Sequence, residues 1–163
     1  MSWLNPTMDS RQDLLALHPG LAASHRTVED EIWASGVDPH LLELCRVRTA
    51  TLVGNRAVGA EPMSPAAAKA GLDADLVAAL PQWPTDPRFT PAMRAALTLA
   101  EQFVLDVHGI TDELVDEVAA HLGPDGVVTL TTALATWEIT HRFDNALLGA
   151  TEAPAPATDH PES

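Results

Sequence analysis

The sequence predicts an all-α domain of about seven helices, and three observations point to it. Apolar residues make up 46% of the chain but aromatics only 4%, with alanine and leucine dominant, a balance that suits helix packing better than a sheet. Helix-opening signatures recur along the chain, several with proline at the first helical position. Behind each signature, apolar residues return at three- and four-residue spacing.

Asp9 or Ser10 caps a short first helix ending near Leu17. His18-Pro19-Gly20 breaks the chain, and Pro19 opens a second helix to Ser35 with Leu21, Val28 and Ile32 on one stripe. Asp38-Pro39 joins a capping carboxylate to a first-turn proline and starts a third helix, with Leu41, Leu44, Cys45 and Leu52 on one face and a break near Gly54. Ser64-Pro65 opens a short helix closed by Gly71, and Asp73 caps the next. Three prolines between Pro81 and Pro87 mark a connector. Thr90-Pro91 starts a helix carrying Met93, Leu97, Ala100, Val104 and Val107, and Thr111 opens another that stops at Gly123. The long apolar run from Val127 to Leu148 begins with β-branched residues, but its length favours a buried helix. The chain from Ala150 onward is polar and rich in proline, the composition of a disordered tail. The organisation expected is an N-terminal extension over 1–17, one domain over 18–149 and a tail over 150–163.

Charge and cysteine count exclude several functions. A formal charge of −14 argues against nucleic acid, which is bound by lysine and arginine, and against anionic membrane surfaces. No 18-residue apolar run is present. Cys45 is the single cysteine, so no intrachain disulfide can form. A soluble cytoplasmic protein is the expectation.

Three stretches carry a family resemblance: Leu41–Asn55 (LLELCRVRTATLVGN), Ala66–Leu80 (AAAKAGLDADLVAAL), and Phe89–Gly123 followed by the helix with HRFDNAL. Their order and spacing resemble the carboxymuconolactone decarboxylase family, which includes the AhpD-like alkylhydroperoxidases. The resemblance implies an AhpD-like all-helical bundle assembling as a homo-oligomer, a dimer, trimer or hexamer. In the family's peroxidase branch the chemistry sits in a Cys-x-x-Cys-x-x-x-His motif, with a glutamate twelve residues before it. A thiolate attacks peroxide, a second thiol resolves the sulfenic acid, and the histidine and glutamate move protons. Placed on this sequence, Glu43 matches the glutamate, but Asn55 and Val58 stand at the cysteines and Pro62 at the histidine. The thiol relay is absent. The decarboxylase branch also uses the histidine-bearing stretch, and Glu61-Pro62 replaces it here.

Among candidate site residues, Glu43 is the one for proton transfer, against the plainer reading of a glutamate paired with Arg46. Arg48, on an apolar face, needs a carboxylate or an anionic ligand. Asn55 shares the degenerated loop with Arg56 and Glu61 and can hold a carbonyl or amide. Trp137, His141 and Asn145 share one face of the last helix, with Arg142 beside them, and suit a ligand pocket or a subunit interface. Glu138-x-x-His141 has the spacing of half a di-iron site, but the partner glutamates are lacking, so no metal and no cofactor are expected. The function expected is acid–base chemistry on, or binding of, a small organic ligand. The alternatives are a non-catalytic binding or assembly protein, and a one-cysteine hydroperoxide reductase using Cys45.

Overall fold

A computed structural model describes residues 10–55 and 63–148. The tail over 150–163, and Arg56, Val58, Glu61 and Pro62, lie outside the described residues. Among the described residues there are seven α-helices and no strand: α1 Arg11–Ala16, α2 Pro19–Ala34, α3 Pro39–Leu52, α4 Pro65–Ala70, α5 Ala74–Ala78, α6 Pro91–Leu105 and α7 Asp112–Leu147. No helix among them is long and apolar enough to cross a membrane.

The capping signals place the helix starts. Ser10, Asp38, Ser64, Asp73, Thr90 and Thr111 each accept a first-turn backbone N–H through their side chains, which satisfies donors that have no partner inside the helix. Ser10 also receives the return bond of a capping box from Asp13. Proline follows the cap in α2, α3, α4 and α6. The proline-rich connector is tied down by Arg94, whose guanidinium donates to the carbonyls of Trp83 and Asp86 at 2.6 and 2.5 Å, and to that of Pro84.

The core lies where α3, α6 and α7 pack together, with Leu42, Leu44, Leu97, Leu130 and Leu134 fully buried. Here α3 departs from the one-faced helix expected. All of Leu41 to Cys45 is buried, whereas Leu52 is only half-buried. The physical reason is position: α6 and α7 cover two sides of α3 and α4 a third, so burial follows neighbours rather than one stripe. In α6 the predicted Met93, Leu97 and Ala100 are buried, but Val107 falls beyond the helix in a one-turn 3₁₀ segment and is exposed.

Two glycines shape the path of α3 and α7. Gly123 has φ 71° and ψ 169°, a region open essentially to glycine alone, and with Pro124 it divides α7 into two arms. The sequence predicts a helix end at this point. Gly54, at φ 75°, closes α3, and the Asn55 N–H turns back to the Ala50 carbonyl at 2.8 Å. That six-to-one bond is the Schellman ending of a helix, and it directs Asn55 towards α7. The segment containing α1, set apart by the sequence as an extension, packs on α2 and reaches α7 through Arg11.

Candidate functional site

Along its second arm α7 buries Leu130, Ala133, Leu134, Trp137, Thr140, His141 and Asp144, the three- and four-residue spacing of one helix face. That face is apolar up to Ala133 and Leu134 and polar from Thr140 onward. The change marks the wall of a cleft. The cleft has a volume of about 680 Å³ and lies between α1, α2, α3, the start of α4 and α7. Trp137, Thr140 and His141 form its floor, Arg46 and Ser64 one side, and Arg11, His25 and Trp33 the other.

A chain of polar contacts runs behind the floor. Asp144 is 4% exposed and takes both arms of the Arg11 guanidinium, with Nε donating to Oδ1 at 2.8 Å. Its Oδ2 also accepts from the Asn55 amide at 3.1 Å, and the same amide nitrogen lies 3.2 Å from Nδ1 of His141. A carboxylate only accepts, so Asp144 fixes the Asn55 NH₂ on this side. Nδ1 of His141 must then be the acceptor, and the neutral ring carries its proton on Nε2. Burial holds the His141 pKa down to about 4, and the positive charges of Arg46 and Arg11 add to the effect. The imidazole is neutral at physiological pH.

Glu43, the candidate for proton transfer, is 1% exposed and engaged from two sides. Arg46 donates Nε to Oε2 at 3.1 Å and a terminal nitrogen to Oε1 at 2.8 Å, and the Ser64 N–H approaches at 3.4 Å. Glu43 stands behind Arg46 and Ser64 and itself does not line the cleft. On the opposite side Nε2 of His25 lies 3.0 Å from the Thr140 hydroxyl. That hydroxyl donates to the Thr136 carbonyl at 2.7 Å, so it accepts from His25. The Trp33 and Trp137 rings stand 5.9 Å apart at 40°.

Of the residues named from the sequence, Trp137 and His141 meet at this cleft, Asn55 holds His141 from behind its floor, and Glu43 supports it. The others are elsewhere. Arg48 bonds Glu101 at 2.8 Å, and Trp83 Nε1 donates to the same carboxylate oxygen at 2.7 Å, a network joining α3, α6 and the connector. Arg142 is exposed and pairs with Glu138 one turn earlier at 2.7 Å. Asn145 donates to the Val53 carbonyl at 2.9 Å and closes the end of α3. Glu138 therefore faces Arg142, and no group of three or more His, Cys, Asp or Glu residues converges on a common point among the described residues. Sequence reasoning misses Asp144, Arg11 and His25. Asp144 lies three residues after His141 and so shares its face, a signal present in the sequence.

Cys45 is fully buried and its thiol is pushed far up by desolvation, the opposite of the lowered pKa that a reactive thiol needs. It is expected to resist a disulfide reagent such as DTNB in the native protein and to react as one thiol per chain only in guanidinium chloride. Prompt labelling of the folded protein would show the buried placement to be wrong.

The profile of the carboxymuconolactone decarboxylase family matches residues 21–102, half of the 163-residue chain. The chain belongs to this family. Its fold is that of a protein of unknown function from Agrobacterium tumefaciens, whose crystal structure describes it as a candidate antioxidant defence protein AhpD. The TM-score is 0.72 at 16% identity, over 86% of this chain and 97% of that one. No curated protein is significantly similar to the sequence. The turn at Gly54 delivers the Asn55 amide to His141.

Proposed function

We propose that this family member binds a small organic molecule in the cleft floored by Trp137, Thr140 and His141, without thiol chemistry. The observation that carries the reading is the cleft itself. Its volume of about 680 Å³ falls within the range of small-molecule sites, and neutral His141 and two guanidiniums converge on it. Arg46 and Arg11 each have a carboxylate partner, so they orient a ligand without presenting a bare charge. Glu43 positions Arg46. Both arms of the Arg46 guanidinium occupy the Glu43 carboxylate, so proton transfer by Glu43 requires Arg46 to release it, and its burial is what favours this second, catalytic reading.

A thermal-shift panel of small acids, amides, alcohols and amines tests the proposal. A ligand at a hundred times its dissociation constant stabilises by about 3 kcal/mol, a rise in Tm of about 5–10 °C for a chain of this size. At least one compound should give such a rise in the wild type and not in His141→Leu. Hydroperoxide consumption with a dithiol reductant should be the same for wild type and Cys45→Ser. A panel with no stabiliser, or peroxide consumption lost in Cys45→Ser, would overturn the reading.

A further inference from the structure

Three buried side-chain polar atoms among the described residues have no hydrogen-bond partner: Thr49 Oγ1, Trp137 Nε1 and His141 Nε2. Buried donors without partners are uncommon and costly, and two of these belong to the cleft floor. Trp137 and His141 are four residues apart on α7, one helical turn, on the same face. Both nitrogens carry protons: the indole always does, and the imidazole does because Asn55 occupies Nδ1. Each of the two floor residues thus presents a neutral N–H donor with no acceptor in hydrogen-bond geometry. The backbone of Arg46 favours the proton on His141 but lies outside hydrogen-bond geometry with it.

Both nitrogens are sealed from water as the chain stands. What lies across the floor on one side is α1, through Arg11 and Gln12. This helix has six residues and a single buried side chain, Leu14. Its ionic tie to α7 is the Arg11–Asp144 pair, with Arg11 26% exposed.

Resting on the small-molecule reading, we propose that Trp137 Nε1–H and His141 Nε2–H form a two-donor subsite for an sp² oxygen, a carboxylate or amide carbonyl, of a small organic ligand admitted when α1 shifts. The Trp33–Trp137 ring pair beside the donors suits a flat apolar body. An amine offers no acceptor and would leave both donors empty.

Proton–nitrogen correlation spectra report each indole N–H separately, and the chain has four tryptophans. Trp137→Phe and Trp33→Phe assign the two signals of interest. Benzoate and benzamide should move the Trp137 signal downfield and saturably, benzylamine should not, and Trp137→Phe should weaken benzoate or benzamide binding by about 2–10-fold. Equal shifts from benzylamine would show that shape alone is recognised and would overturn the subsite. Movement of the Trp33 signal without that of Trp137 would overturn it while leaving the cleft as a binding site. No movement of either signal with any of the three probes would count against both readings. Trp3→Phe, Trp33→Phe and Trp83→Phe assign the Trp137 signal by elimination, so the wild-type spectra decide between these outcomes even if Trp137→Phe folds poorly.

Discussion

Asp144→Ala should lower the stability of the fold by about 2–4 kcal/mol, a fall in Tm of about 5–15 °C. The carboxylate is 4% exposed and serves two partners at once, Arg11 from α1 and Asn55 from the end of α3. Truncating it removes the bidentate partner of the Arg11 guanidinium and one acceptor of the buried Asn55 amide together, and breaking a buried pair from one side costs more than the pair contributes net. The partial exposure of Arg11, at 26%, keeps the figure below that for a fully buried pair. Arg11→Ala should cost less, because Asp144 keeps Asn55. Urea denaturation of the two single variants and the double variant measures the coupling. A loss under about 0.5 kcal/mol for Asp144→Ala would be the behaviour of an exposed surface residue and would show that the network does not form.

The second large effect is on pH dependence. His141 titrates near 4 in the fold and near 6.5 when unfolded. Between those values the unfolded chain holds a proton that the folded chain refuses. The stabilisation from a neutral His141 is therefore complete above about pH 6.5 and is lost as pH falls towards 4. By pH 5 the loss should be about 2 kcal/mol. His141→Gln has no imidazole to charge, so the difference in unfolding free energy between the two proteins should narrow or reverse by that amount between pH 7 and pH 5. Every other titratable group is common to the two proteins. A difference independent of pH would mean that His141 is not held neutral.

What is legible in the sequence depends on distance along the chain. Helix starts are local, and the Asp38-Pro39, Ser64-Pro65 and Thr90-Pro91 signatures place three of them correctly. The shared face of Trp137 and His141 follows from helical periodicity, and the family frame marks Asn55. Arg142 adjoins His141 in sequence, but one residue is about 100° of helix rotation, and it points to solvent. Asn145 does share the face, yet it lies a turn beyond the floor, at the end of α3. Arg11 is 133 positions from Asp144, and nothing in either neighbourhood announces the other. The sequence shows that Arg48 needs a carboxylate or a ligand, and which one it meets is decided by the packing of α3 on α6. Burial of five consecutive residues in α3 likewise depends on what surrounds the helix, which no single stripe encodes.

The proton position on His141 ties the network to the cleft, because Nε2 is a donor at the floor only if Asn55 and Asp144 hold Nδ1 as the acceptor. A long-range proton–nitrogen NMR spectrum of the imidazoles at pH 7, with His141 assigned through His141→Gln, reads this directly. A neutral ring protonated at Nε2 is the expected result. A cationic ring, or a neutral ring protonated at Nδ1, would contradict it and remove one of the two donors from the floor.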